Sequence, residues 1–258
     1  MSDIPREVRR FACQLRRLVK DYAVGHRRRM VRGRAGVDLN AAGFAARLNL
    51  EQPIHTTDYV QAKIHNISVA IDRLNNLPVP SGAIFSFWHV VGRSTAARGF
   101  LPGRSLLGGE LRPDYGGGLC QLSGLIYHAS LVAGLTILER HPHSRDIYDD
   151  QTRYAPLGSD ATVAYGFKDL RVLNSYSFPI SFRVSVTQEK ATCQVCSTEP
   201  IEPWRVEFVV SAAGDGSVRV ETRRGRNGQD GHEVVNVSDY RRLAVTGREH
   251  GVSSSASR

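Results

Sequence analysis

Residues 119–133, which read LCQLSGLIYHASLVA, are apolar on almost all sides and form a run too long for a single strand. We predict a buried helix that begins after Gly116, Gly117 and Gly118 and ends before Gly134. A helix apolar around its circumference must be surrounded by other elements. The rest of the chain is therefore expected to build a core around it.

The composition is that of a globular protein. The chain has 258 residues, of which 41% are hydrophobic and 23% charged, and these values exclude global disorder, collagen and coiled coil. No apolar run reaches the ~18 to 20 residues of a membrane-spanning helix, which excludes an integral membrane protein. The four cysteines are too few for a disulfide scaffold.

The N-terminal segment combines helical periodicity with positive charge. Within residues 4–22, apolar side chains recur at helical spacing, and arginines occupy the rest of the helix circumference. This amphipathic helix is expected either to bind an anionic membrane surface or to dock on its own domain with a solvated charged face. Because the remainder of the chain is nearly neutral, we expect no nucleic-acid partner.

The same arginines interrupt any signal-like apolar stretch, so we expect a cytoplasmic protein, with membrane association through residues 4–22 as a second expectation.

Further along, the periodicity predicts a helix over residues 58–77, a strand over 83–91 and irregular structure over 92–115. A series of strands follows, over residues 136–144, 161–165, 170–173, 180–186, 204–210, 217–223 and 233–237. Turn sequences join the last three into a β-meander.

These elements predict an α+β fold in which the buried Cys-bearing helix packs on a mostly antiparallel sheet. The expected regions are a basic helix and linker (1–36), a central domain (37–190), a β-rich extension (191–245) and a disordered tail (246–258).

Cys120 is the candidate nucleophile. It falls in the first turn of the buried helix, where unpaired backbone N–H groups and the helix dipole stabilise a thiolate. The side-chain amide of Gln121 is a candidate donor to a developing oxyanion. A cysteine chosen only for packing is the alternative interpretation.

Two histidines are candidate bases. His141 and His143 lie two residues apart in a predicted strand and should therefore project from one face of it. Either imidazole is a candidate to reach the Cys120 thiol, and Asp160 or Asp169 is the candidate to orient that imidazole. The sequence leaves both choices open.

Several other residues are candidates to bind substrate, namely Gly116, Gly117, Gly118, Trp88, Ser144 and Arg145. Arg104 and Arg140 share with Arg145 the capacity to bind a carboxylate in bidentate fashion.

Two further interpretations compete with a cysteine nucleophile. His141 and His143 with Cys120 and Asp160 also have the residue types of a zinc site. Alternatively, the glycine loop and helix N-terminus simply hold a carboxylate in a non-catalytic binding protein. Cys193 and Cys196 are three residues apart on a strand and should face opposite ways, which does not favour a metal site.

Three separated stretches resemble the VanW family, named for a vancomycin-resistance accessory protein: HNISVAIDRLNNLPVPSGAIFSFWHVVG, GGGLCQLSGLIYHASLVAGLTILERHPHS and PLGSDATVAYGFKDLRVLN. The resemblance covers roughly residues 65–186. It implies a cell-wall or glycopeptide-resistance context and, for some members, a cysteine-dependent L,D-transpeptidase-type activity. It also implies Cys120 as nucleophile, with the histidines of RHPHS as its partners.

Together the residues and the resemblance predict cysteine-dependent acyl transfer or amide hydrolysis on a peptidoglycan-type peptide or its precursor, without a cofactor. A peptide-binding or membrane-docked accessory protein is the first alternative, and a Cys/His metal-dependent hydrolase is the second.

Overall fold

The computed structural model describes residues 5–32, 37–107, 110–146, 154–214 and 216–242. The predicted tail over 246–258 and the end of the β-rich extension lie outside these residues. Among the described residues, no helix is both long and apolar enough to cross a bilayer.

The fold is α+β, as predicted. Its helices are α1 (Arg6–Ala23), α2 (His26–Arg29), α3 (Val60–Leu74), α4 (Phe87–Val91) and α5 (Leu119–Val132). Its strands are β1 (Ala45–Pro53), β2 (Ile84–Ser86), β3 (Pro102–Leu107), β4 (Glu110–Tyr115), β5 (Thr136–Glu139), β6 (Arg145–Asp146), β7 (Arg171–Leu173), β8 (Ile180–Val186), β9 (Lys190–Ser197), β10 (Trp204–Ala212), β11 (Ser217–Arg226) and β12 (Glu233–Arg242).

The strands pair in four groups, ordered β1-β9-β8, β2-β7-β5, β3-β4 and β10-β11-β12-β6. All neighbouring strands run antiparallel except β12 and β6, which are parallel. Strand β9 pairs with β1 and β8 on either side.

Helix α5 lies at the centre of the main core. It contacts α3, β1, β5, β9 and β10, and its side chains Leu122, Leu125, Ile126 and Tyr127 are fully buried. At ~1.5 to 3 kcal/mol for each large apolar side chain removed from water, this helix is a major contributor to folding. The prediction of a buried helix after the three glycines is therefore confirmed.

Three predicted elements are wrong. The aromatic residues of 83–91 form only a three-residue strand before α4, because Ser86 accepts a hydrogen bond from His89 N and caps a helix there. Residues 92–115, expected to be irregular, contain the β3-β4 hairpin. The strand over 161–165 is absent, and only an isolated bridge joins Ala164 to Lys168.

Candidate functional site

The glycine loop places Cys120 at the start of α5. Gly118 occupies the N-cap position with φ of +99°, a left-handed conformation that favours glycine. A Cβ at this position would also lie 2.8 Å from Lys63 Cγ. Cys120 is the second residue of the helix, is half-buried, and donates its thiol to Val163 O at 3.7 Å.

Asn66 on α3 holds the glycine loop in position. Its Nδ2 donates to Gly117 O at 3.1 Å and to Leu101 O at 3.0 Å, while its Oδ1 accepts from Leu101 N at 2.8 Å. Asn66 is fully buried. Sequence reasoning did not identify it, although a polar residue in the apolar stripe of a predicted helix is a usable signal.

His143 is the histidine that interacts with the Cys120 thiol. Each side chain shifts the pKa of the other, since His143 lowers that of Cys120 and Cys120 raises that of His143. The other ring nitrogen of His143, Nδ1, lies 2.6 Å from Asp160 Oδ2. Asp160 therefore engages Nδ1 of His143 and leaves Nε2 as the ring nitrogen that can face the sulfur.

The charges around Cys120 and His143 favour an ion pair between these two side chains. Burial by itself would raise the pKa of Cys120, but the hydrogen bond and positive charge of His143 bring that pKa below its ordinary value. Burial would likewise lower the pKa of His143, but Asp160 and Cys120 raise it above the ordinary imidazole value. Both shifts favour a thiolate facing an imidazolium over a neutral thiol and imidazole.

Arg140 and Tyr240 bind the carboxylate oxygen of Asp160 that His143 does not use. Asp160 Oδ1 accepts from Arg140 Nη2 at 2.8 Å and from the Tyr240 hydroxyl at 2.5 Å. Burial would raise the pKa of Asp160, yet its hydrogen bond to His143 and the charge of Arg140 lower that pKa strongly, so the carboxyl stays ionised.

Arg140, a candidate to bind a substrate carboxylate, is instead engaged inside the protein. Its side chain is fully buried and also contacts Ser238 Oγ, Gly158 O and Asp160 O, while its guanidinium lies 5.1 Å from the Tyr127 ring centroid. The guanidinium is therefore a structural support for Asp160. Tyr240 and Ser238 lie on β12, about a hundred residues later in the chain, and no local sequence signal identified them.

His141 and Asp169 belong to a different network. His141 Nε2 lies 2.9 Å from Glu139 Oε1, and Glu139 also binds Arg17 of α1 at 2.6 Å. The expectation that both histidines share a strand face is wrong, because β5 ends at Glu139 and residues 141–143 are not in a strand. The two imidazoles consequently bind different carboxylates.

Asp169 caps helix α4 rather than orienting a histidine. Its carboxylate accepts from Ser86 Oγ at 2.6 Å and from Trp88 N at 3.0 Å. Trp88 itself donates from Nε1 to Lys168 O at 2.8 Å and packs edge-on against Tyr165. Among the described residues, neither Asp169 nor Trp88 forms a hydrogen bond with Cys120 or His143.

The side-chain amide of Gln121 is also directed elsewhere. Its Nε2 donates to Pro53 O at 2.9 Å, and the residue is buried. The amide nitrogen is therefore engaged with β1 and is not available to an oxyanion. By contrast, the backbone N–H of Cys120 has no intramolecular acceptor among the described residues.

The remaining candidate substrate-binding residues lie at the edge of the site. Ser144 is exposed, and its carbonyl accepts from Arg241 N at 3.4 Å. Arg145 pairs through its backbone with Arg241, while its side chain, like that of Arg104, lies outside the described residues.

Lys63 is a residue that sequence reasoning missed. Its stem lies against Gly118, and its Nζ lies 5.7 Å from the Tyr154 ring centroid. Burial lowers the pKa of Lys63 to about 8, and no carboxylate within the described ranges pairs with it. A partly desolvated cation therefore lies beside the loop that carries Cys120.

No cluster of three His, Cys, Asp or Glu side chains suited to a metal ion occurs in the part of the chain that the structure describes. Cys193 and Cys196 face opposite sides of β9, as predicted, since Cys193 lies in the main core and Cys196 packs with Leu39 and Phe44.

The family model described as "VanW like protein" matches residues 62–196, which is more than half of the chain and includes Cys120, His143 and Asp160. The chain belongs to the VanW family.

Two curated relatives share this region of the VanW-family chain. "Uncharacterized protein YoaR" of Bacillus subtilis (strain 168) is 37% identical over 123 residues, covering 48% of this chain and 39% of the relative. "Vancomycin B-type resistance protein VanW" of Enterococcus faecalis (strain ATCC 700802 / V583) is 31% identical over 137 residues, covering 53% of this chain and 50% of the relative. The chain thus spans half or less of these relatives. No solved structure matches it.

Proposed function

We propose that this VanW-family protein carries out cysteine-dependent acyl transfer or amide hydrolysis on a peptide of the cell-wall type. The observation that carries the proposal is the hydrogen bond of His143 Nδ1 to Asp160 at 2.6 Å, together with the mutual effect of Cys120 and His143 on each other's pKa. A nucleophile, a base and a group that orients the base are the parts required for covalent catalysis at an acyl carbon.

The first chemical step would use the ion pair directly. The Cys120 thiolate attacks the carbonyl carbon of the substrate amide, a C–S bond forms, and the carbonyl π electrons move onto oxygen. The backbone N–H of Cys120, which has no acceptor among the described residues, would donate to that oxyanion, the role first expected for Gln121. Collapse of the tetrahedral intermediate breaks the C–N bond, and the leaving amine takes its proton from His143.

The second step would release the acyl group. Neutral His143 accepts a proton from an incoming amine or from water, which then attacks the thioester carbonyl and expels the Cys120 thiolate. An amine acceptor gives transfer, whereas water gives hydrolysis. Asp160 stays ionised throughout and holds the Nδ1–H of His143 in one tautomer.

The substrate class rests on the relatives and on charge. One relative is named as a vancomycin B-type resistance protein, which supports a wall peptide or its precursor as substrate. Lys63 lies against Gly118 as a partly desolvated cation that pairs with no carboxylate of the described residues, which supports binding of a peptide carboxylate beside the thiol.

A trapped acyl enzyme tests the proposal. The protein would be incubated with synthetic wall-precursor peptides, quenched in acid and examined by intact-protein mass spectrometry. We expect an acyl adduct on the wild type and on Cys13→Ala, which removes the other half-buried cysteine, but none on Cys120→Ala. If the adduct persisted in Cys120→Ala, or if Cys120→Ala still supported the biological function, a non-catalytic accessory protein would be favoured.

A further inference from the structure

Helix α1 is docked on the domain by its polar face. Asp21 is buried and forms a bidentate ion pair with Arg171, at 2.6 and 2.8 Å. One helical turn earlier on the same face, Arg17 binds both carboxylate oxygens of Glu139, at 2.8 and 2.6 Å. The stems of Arg10 and Gln14 lie against Gly166, where a Cβ would meet them at 2.6 and 3.1 Å.

These four residues follow the i, i+4, i+7, i+11 pattern of a single helix face. The packing is therefore the reverse of the usual arrangement, in which a surface helix buries its apolar stripe. Here ion pairs and side-chain stems hold the helix in place.

The apolar stripe of α1 consequently faces away from the domain. Its members have 40% to 67% of their surface exposed: Val8, Phe11, Leu15, Leu18, Val19 and Tyr22. Six large apolar side chains aligned on one helix form a contiguous patch, and monomeric proteins seldom leave such a patch to water. No described element covers it.

The charges beside the stripe identify what covers it. Arg9, Arg16 and Lys20 are exposed along one edge of the stripe, and Arg6 is exposed at its start. The acids of α1 are already engaged, since Asp21 binds Arg171, and Glu7 binds Arg10 and Arg93. Two copies that met through this stripe would bring like charges together, whereas an anionic lipid surface would be attracted to them.

We propose that α1 is an interfacial membrane anchor that lies on an anionic bilayer surface, with its apolar stripe among the acyl chains. At ~1.5 Å per residue, the 18-residue helix is about 27 Å long and would lie parallel to the surface. The long stems of Arg9, Arg16 and Lys20 can follow the apolar surface and leave their charges at the headgroups.

This arrangement would hold the candidate site at a fixed distance from the bilayer. Arg17 binds Glu139, which lies four residues before His143 in the chain. The membrane-facing helix and the imidazole are thus positioned by the same short segment. The inference does not depend on whether Cys120 is catalytic.

Vesicle flotation tests the anchor. The full chain would be mixed with vesicles of phosphatidylcholine alone or with phosphatidylglycerol added, at low and high salt. We expect binding to the anionic vesicles that weakens with salt, and at least tenfold weaker binding to phosphatidylcholine alone. Phe11→Gln/Leu15→Gln and, separately, Arg9→Gln/Arg16→Gln/Lys20→Gln should each reduce binding at least tenfold.

Val210→Gln is the matched control, because Val210 on β10 is 55% exposed and lies outside the stripe. It should bind vesicles as the wild type does. Far-UV circular dichroism and the Cys120 alkylation rate should be unchanged in every variant, which separates lost anchoring from lost folding. No binding to anionic vesicles, equal binding by the stripe variants, or a dimer in sedimentation analysis that Phe11→Gln/Leu15→Gln dissociates would overturn the proposal.

Discussion

Asp160 Oδ2 accepts two hydrogen bonds from His143, one from the backbone N at 2.7 Å and one from ring Nδ1 at 2.6 Å. The carboxylate therefore fixes both the main chain and the ring of the same residue. This double contact keeps a proton on Nδ1 and leaves Nε2 as the ring nitrogen that can face Cys120.

Removal of the Asp160 charge should lower the pKa of His143. The carboxylate favours the imidazolium, so the pKa of His143 in Asp160→Asn should fall from its raised value toward or below the ordinary ~6.5. Histidine ring signals in an NMR titration measure this shift directly. Asp58→Asn, at an exposed position before α3, should leave the titration unchanged.

The two histidines should differ in their effect on thiol reactivity. His143→Gln removes the charge that lowers the pKa of Cys120, and each unit by which that pKa rises above the assay pH reduces the thiolate fraction about tenfold. Iodoacetamide alkylation of Cys120 at pH 7 should therefore slow by about tenfold or more. His141→Gln is the control, because His141 binds Glu139, and its rate should stay within about twofold of the wild type.

Equal slowing in both histidine variants would contradict the assignment of His143 as the partner of Cys120.

Arg140 should be important for stability. Arg140→Met leaves Asp160 Oδ1 and the Tyr240 hydroxyl without their buried cation, and loss of one member of a buried pair typically costs about 3 to 5 kcal/mol. Urea unfolding measures the difference. Arg205→Met removes an exposed ion pair with Glu207 and should change the free energy of unfolding by less than about 1 kcal/mol.

A loss below about 1 kcal/mol for Arg140→Met would show that the buried network contributes specificity of structure rather than stability.

Lys63 should select peptides with a free carboxylate. Calorimetric titration of the Cys120→Ala protein should show about tenfold weaker binding of an acidic wall peptide when Lys63→Gln is added, because a charge-assisted hydrogen bond is lost. Affinity should also fall as the pH rises through about 8, where Lys63 loses its proton.

Two controls accompany this prediction. Amidation of the peptide carboxylates should remove the effect of Lys63→Gln, and Lys190→Gln, which removes an exposed partner of Glu51, should bind the acidic peptide normally. If Lys63→Gln weakened binding of the amidated peptide as much as binding of the acidic peptide, a charge interaction would be contradicted.

The sequence was sufficient to predict elements with a strong local pattern. The expected helix over 119–133 is α5 (Leu119–Val132), and the expected helix over 58–77 contains α3 (Val60–Leu74). The three strands of the meander were also predicted, because clear turn sequences separate them. These signals are contained within a few consecutive residues.

Elements that depend on distant partners were not predicted. Strand β1 (Ala45–Pro53) has weak alternation and pairs with β9 across more than a hundred intervening residues. The choice between His141 and His143 stayed open for a related reason. The choice depends on the residue at which β5 ends and on which acid each imidazole binds, Glu139 for His141 and Asp160 for His143. The alternation of side chains in a regular strand predicts neither.

Strand β12 ties the C-terminal meander to the chemistry of a region from which it is far removed in sequence. Tyr240 and Ser238 lie beyond residue 196, where the family match ends, yet both touch the guanidinium that holds Asp160. A fragment cut to the matched region would lose both hydroxyl groups and uncover Arg140. Family members that share the motifs but end in a different C-terminal segment must hold this carboxylate by other means.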